Sequence, residues 1–263
     1  MGEKLVTDTP QGSTVVWQIQ HRLRERGIDV ATDGDLGPRI AWDGSETLRG
    51  VLAALGGPLP AAAAPAAPAA PAAPIGAGRV VHIDVGHGRK GGRFDPGAVH
   101  AGSATTEHSL NLAGAEACAG RLRELGFRVT IDDGALENYQ AGLAGRGAAI
   151  FVSFHHNAAG GPAQYALALY DEGGSAADRA LGTAVAAALA AELGIPNKGA
   201  RPMGLSVLKG ARAAGVPAAI LIEPYFIHEQ SPANPPASSM RDWSKRAGLA
   251  LADAIAAHAA ALA

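Results

Sequence analysis

Residues 58–75 read PLPAAAAPAAPAAPAAPI. No helix or strand can run through such a tract, because each proline removes a backbone N–H donor and blocks helical continuation. A low-complexity Ala/Pro run of this kind extends as polyproline II and acts as a semi-rigid spacer of about 3.1 Å per residue. It therefore divides the chain into a small module at 1–57, a linker at 58–78 and a larger unit at 79–263.

The first module reads as helical. Val15, Val16, Ile19 and Leu23 fall on one helix face, and Gly27 ends it. A dense turn follows at Asp33-Gly34-Asp35-Leu36-Gly37-Pro38. Ser45 is placed to cap a second helix through Leu48, Val51, Leu52 and Leu55. So few residues are marginal for independent folding.

The unit at 79–263 alternates strands with helices. Strands are expected at Val80–Val85, Phe127–Ile131, Ala149–Phe154, Tyr165–Tyr170, Leu205–Leu208 and Ala218–Ile222. Helices are expected at Thr106–Leu125, at Ala176–Leu193 before the stop Gly194-Ile195-Pro196, and at Arg241–Leu262. This order predicts an α/β fold, a mainly parallel sheet flanked by helices on both faces.

Composition removes several function classes. The net charge of −2 gives no basic field for nucleic acid or an anionic membrane. The single cysteine, Cys118, excludes a disulfide framework and a Cys-rich zinc site, so any metal must be held by histidine and carboxylates. It reads as a small core residue. The N-terminus, MGEKLVTDTPQGS, lacks the apolar region of a signal peptide, and no apolar run is long enough for membrane insertion.

The chemistry gathers around VVHIDVGHGRKGGRFDPG, residues 80–97. His87 lies between two glycines at the C-terminal end of a strand, where open α/β sheets build their sites. Glu107 opens the following helix, and His155 ends the strand Ala149–Phe154. In a parallel sheet these three positions meet at one edge. Two imidazoles and one carboxylate suit Zn²⁺ with a fourth position open for water. Glu223 directly follows the apolar run Ala219-Ile220-Leu221-Ile222, where a carboxylate is costly without a partner or a task. The task expected is general base, then acid toward a leaving amine. His155 and His156 point opposite ways, so only one of them serves directly. His82 reads as a packed or edge histidine, and His21 and His258 as surface residues. His100, His108 and His228 are substitute ligands or substrate-facing groups.

The ordered series resembles the zinc-dependent N-acetylmuramoyl-L-alanine amidase family. It runs GHGRKGGRFDPGA at 86–98, Glu107-His-Ser-Leu-Asn111, Ser153-Phe-His155-His-Asn157-Ala158 and Ile222-Glu223-Pro-Tyr-Phe226. The family motif GHGGxDPGA is shorter, so this chain carries extra residues after GHG. The resemblance implies His87, Glu107 and His155 as ligands of one Zn²⁺ and Glu223 as the catalytic acid/base. It also implies peptidoglycan as the partner, cleaved between N-acetylmuramic acid and L-alanine by a monomer. Asn157 and Arg146 are candidates for orienting substrate. Residues 14–56 resemble the three-helix peptidoglycan-binding domain, through Val16 to Leu23 with Gln20, Gly27 and DGDLGP at 33–38. A wall-binding module, a linker and an amidase without a leader resemble a modular phage endolysin, made in the cytoplasm and acting on the wall. A bacterial autolysin of the same activity, another zinc peptidase or deacetylase of the cell wall, and a non-catalytic wall-binding protein are the rival readings.

Overall fold

Val81, Ile83 and Val85 point to one side of the first strand, β1 (Val80–Val85), which leaves His82 and Asp84 on the other. The same alternation across the sheet decides where each helix packs. The computed structural model describes residues 76, 78–100, 102–159, 163–228 and 235–261. The module expected at 1–57, with His21, and the linker through residue 75 lie outside the described residues.

After β1 come β2 (Gly88–Lys90), β3 (Arg93–Asp95), α1 (Glu107–Glu124), β4 (Arg128–Asp132), α2 (Asn138–Ala144) and β5 (Ile150–Phe154). Then follow β6 (Ala166–Tyr170), α3 (Ala176–Leu193), β7 (Asn197–Pro202), α4 (Ser206–Ala213), β8 (Ala218–Glu223) and α5 (Ala237–Ala261). Six strands form one sheet in the order β4–β1–β5–β8–β6–β7. β4, β1, β5 and β8 are mutually parallel, β6 is antiparallel to β8, and β7 is parallel to β6. The mainly parallel α/β sheet expected from the sequence is the sheet observed.

On one face Val81, Ile83, Val152, Phe154, Ile220 and Ile222 pack against α1, α3 and α5. Burying each such side chain contributes about 1.5–3 kcal/mol. The other face carries Phe151, Leu167, Leu169 and Leu221, packed on Ala141 of α2 and Val207, Leu208 and Ala211 of α4. Two short helices cover less area than three long ones, and the uncovered part of this face becomes a cleft.

Small residues explain how a chain so poor in aromatics builds this core. A Cβ on Gly248 of α5 would sit 2.1 Å from the carbonyl oxygen of Gly114 in α1. The two helices therefore touch backbone to backbone, which only glycine permits at that crossing. Cys118 is buried in the same layer, as expected.

The helix ends obey local rules. Thr106 caps α1, its hydroxyl accepting from the Ser109 N–H at 3.2 Å. α3 opens with a reciprocal capping box between Ser175 and Asp178 and closes at Gly194, with φ 67°.

Several segments differ from expectation, among them the hairpin β2–β3 and the helix α2, which were not expected. Leu205–Leu208 is not a strand: Leu205 caps α4, and Val207, Leu208 and Ala211 form its buried stripe. A short apolar run has no period of its own, and the spacing of Ala211 from Val207 and Leu208 is helical. Conversely, Asn197–Pro202 forms the edge strand β7 without any apolar alternation. Its pairing with β6 supplies the structure, and its terminal proline is tolerated at an edge.

Candidate functional site

β1 and β5 end side by side, and the chain leaves each of them at a histidine. Gly86 continues the ladder for one residue, its N–H donating to the Phe154 carbonyl at 3.0 Å. His87 then turns into the left-handed region, φ 66°. That conformation costs a non-glycine residue on the order of 1 kcal/mol, and it swings the imidazole over the end of the sheet. Glu107 reaches the same place from the first turn of α1, where the helix dipole favours a carboxylate.

Glu107 is buried, at 5% relative exposure, and both its oxygens are engaged. Oε1 lies 3.0 Å from His155 Nδ1 and accepts from the His156 backbone N–H at 3.2 Å. Oε2 lies 3.0 Å from His87 Nε2 and accepts from the Ala98 N–H at 3.1 Å. Burial alone would raise the Glu107 pKa. The hydrogen bonds and charges of His155 and His87 outweigh it and hold the carboxyl well below the usual range. Burial likewise lowers the His87 pKa, but Glu107 and then Asp95 outweigh it and the net shift is upward.

Donor atoms of His87, Glu107 and His155 all lie within 4.8 Å of one another. Two glycines make the room. A Cβ on Gly86 would come within 2.4 Å of the His155 ring, and one on Gly97 within 2.6 Å of both Glu107 Oε2 and the His87 ring. Two imidazole nitrogens and one carboxylate oxygen in a cradle of this size fit a zinc ion.

Glu223 closes β8 on the same edge and is half-buried. Its Oε2 accepts a hydrogen bond from the Asn157 amide. Burial raises its pKa, and the charge of Glu107 adds to the rise, while His155 and the Asn157 hydrogen bond oppose it. The result is a carboxylate more basic than an ordinary glutamate, beside the three donors. All four groups open into one cleft of about 380 Å³, floored by Leu169 and Leu221 and walled by Asn138, Met203 and Leu205.

The remaining expected residues separate. Asn157 lies in the cleft against Glu223. Arg146 does not reach it: the residue is exposed in the turn before β5, at the opposite end of that strand from His155. His156 is fully enclosed. Its Nδ1 meets Asn111 Oδ1 at 2.7 Å and its Nε2 meets Ser244 Oγ at 3.0 Å, and burial pushes its pKa down to about 3. His108 contacts the Gly86 carbonyl at 3.2 Å through Nδ1, so it braces the turn and lies outside the group of three donors. His100 is buried, and its Nδ1 bonds the Ser103 hydroxyl at 3.0 Å, within a loop. His228 packs edge-on against Phe226. His82 stacks on Phe151 in the core, as a packed histidine. His258 is half-buried on α5, less exposed than the surface position expected.

The sequence reading missed Asp95. Asp95 Oδ2 lies 2.8 Å from His87 Nδ1, and its Oδ1 accepts from the Gly97 N–H at 3.0 Å. The available signal was general: a metal-bound histidine almost always gives its second nitrogen to a carboxylate, carbonyl or water.

The sequence profile described as N-acetylmuramoyl-L-alanine amidase matches residues 81–257. By sequence, no curated protein matches the chain. Among solved structures, the catalytic domain of CwlV, an N-acetylmuramoyl-L-alanine amidase from Bacillus (Paenibacillus) polymyxa var. colistinus, is similar at 26% identity and TM-score 0.56. That match covers 67% of this chain and 96% of that one. An N-acetylmuramoyl-L-alanine amidase from Clostridium difficile 630 is similar at 21% identity and TM-score 0.58, over 68% of this chain and 95% of that one. AmiC2 of Nostoc punctiforme, an amidase of the same description, is similar at 23% identity and TM-score 0.57, over 67% and 94%.

Proposed function

The chain belongs to the N-acetylmuramoyl-L-alanine amidase family, and from that premise we propose that His87, Glu107 and His155 hold one zinc ion while Glu223 moves the protons. The reaction is hydrolysis of the amide between N-acetylmuramic acid and L-alanine in peptidoglycan. The observation that carries the zinc reading is the set of three donor atoms within 4.8 Å of one another in the lining of an open cleft.

When bound, zinc supplies Lewis acidity toward water and toward the amide carbonyl. The protein does the rest. Two backbone N–H groups and the Thr106 cap fix Glu107, and Asp95 fixes the His87 ring. Glu223, more basic than usual, takes a proton from the attacking water. As the oxygen–carbon bond forms and the carbon–nitrogen bond breaks, it returns that proton to the alanine nitrogen. Asn157 holds the carboxylate in place for both transfers.

Product analysis tests the reading. Purified peptidoglycan treated with the protein should release peptides with new N-terminal alanine. New termini at another residue would indicate a peptidase, and free acetate a deacetylase; either result would sink the assignment.

Residues 1–57 support an endolysin-like arrangement, in which a wall-binding module raises the effective concentration of the catalytic unit at its substrate. Deleting them should reduce pelleting with purified sacculi, and unchanged pelleting would refute the targeting role.

A further inference from the structure

The extra residues after GHG form a feature that the zinc chemistry does not use. Gly88-Arg89-Lys90-Gly91-Gly92-Arg93-Phe94-Asp95 folds as the β2–β3 hairpin. Gly91 and Gly92 turn it, with φ 52° and 80°, as a two-residue loop with both central residues left-handed requires. His87 precedes one foot of the hairpin and Asp95, which orients His87, forms the other. The hairpin is therefore rooted in the candidate metal centre.

Its register sorts the side chains. Gly88 pairs with Asp95, Arg89 with Phe94 and Lys90 with Arg93. Paired residues share a face, and neighbours along a strand do not. Arg89 thus lies with Phe94, whose ring meets His108 edge-on at 5.7 Å. Lys90 and Arg93 lie together on the opposite face. The Lys90 ammonium donates to the Asn138 amide oxygen, and Asn138 lines the catalytic cleft. Like charges directly across a hairpin repel. Among the described residues, neither Lys90 nor Arg93 has a carboxylate within ion-pair distance. Glu137 Oε1 lies beside the turn, 3.4 Å from where a Cβ on Gly91 would stand, without pairing to either cation. Asp95 is committed to His87 and to the Gly97 N–H.

We propose that Lys90 and Arg93 form a carboxylate-binding lip that recognises the acidic peptide stem on the leaving-group side of the scissile amide. The proposal rests on the amidase reading and deepens it. Lys90 follows His87 by three residues, a reach of at most about 10 Å along the chain. That is the span of two or three extended peptide residues, so the anion contacted belongs to the stem close to the bond cut. The stem carries carboxylates there, while the glycan side offers hydroxyls and amides. An arginine opposite a lysine, neither of them in an ion pair among the described residues, gives a forked donor and a mobile one for such a group.

The test compares soluble muramoyl peptides whose stem carboxylates are free with the same compounds amidated. The full chain is used as wild type, as Lys90→Gln/Arg93→Gln and as Arg89→Gln, each checked for equal zinc content. Wild type should prefer the free acid by about tenfold or more in kcat/KM, mostly through KM. The double variant should lose that preference, and Arg89→Gln should keep it. Equal turnover of both substrates by wild type, or a preference retained by the double variant, overturns the proposal. Calorimetric binding of the free stem peptide reads the lip without turnover. About tenfold weaker binding by the double variant supports the lip even if the amidase reading fails, and unchanged binding overturns it. If the double variant loses binding only to sacculi bearing phosphate polymers, the anion is a wall phosphate and the stem assignment is wrong.

Discussion

Asp95 Oδ2 lies 2.8 Å from His87 Nδ1, and this contact aims His87 Nε2 at Glu107. A carboxylate on Nδ1 fixes both the tautomer and the tilt of the ring, leaving the second nitrogen free to ligate. Asp95→Ala should weaken zinc binding by about 10- to 100-fold while leaving the fold intact. Competition with a chromophoric chelator measures it, and an affinity equal to wild type would remove Asp95 from the account.

Glu223 and Asn157 set the acid side of the pH profile. Burial raises the Glu223 pKa and the Asn157 hydrogen bond lowers it. The base works only when deprotonated, so kcat/KM should fall as pH drops through its raised pKa. Asn157→Ala removes a contact that favours the charged form and should move that acid limb to higher pH. Glu223→Gln should cut kcat by about 100-fold or more while retaining zinc. A limb that moves to lower pH in Asn157→Ala would contradict the assignment.

Gly86→Ala tests the cradle. The added methyl would stand 2.4 Å from the His155 ring, and backbone pairing on β8 keeps His155 from retreating. The variant should fold, by circular dichroism, and bind zinc at least tenfold more weakly. Unaltered zinc binding would show that the His155 ring has freedom the structure does not suggest.

The order strand–His87, helix–Glu107, strand–His155, strand–Glu223 was legible because parallel strands bring their C-terminal ends to one edge whatever the details of packing. β7 was not legible, because Asn197–Pro202 has no periodicity and takes its structure from pairing with β6. Leu205–Leu208 was ambiguous for the opposite reason, a short apolar run that suits strand or helix. Asp95 was not legible, since its role appears only when the hairpin brings it back beside His87. Arg146 was placed by motif order alone, and the turn before β5 leaves it far along the strand from the cleft.

His156 makes a stability prediction. It joins Asn111 on α1 to Ser244 on α5 in a buried chain of hydrogen bonds. His156→Ala would leave Asn111 Oδ1 without its partner and empty a buried site, and should cost about 3 kcal/mol in denaturant unfolding. Burial holds the imidazole neutral in the native state, with a pKa near 3. Its contribution is therefore complete above the unfolded value of about 6.5 and is lost progressively as pH falls toward 3. By pH 5 the loss should reach about 2 kcal/mol, and the variant should show less of it. Identical pH dependence in both proteins would refute the buried-neutral assignment.

The most direct test of the whole account is zinc reconstitution read at the bond cleaved. The chain is stripped with a chelator, titrated with zinc against purified sacculi, and the released peptides are sequenced from their N-termini. The account predicts that new alanine termini appear in proportion to zinc, saturate at one ion per chain, and vanish in His155→Ala at the same zinc concentration. Alanine termini released equally by the stripped protein, or undiminished in His155→Ala, would contradict it.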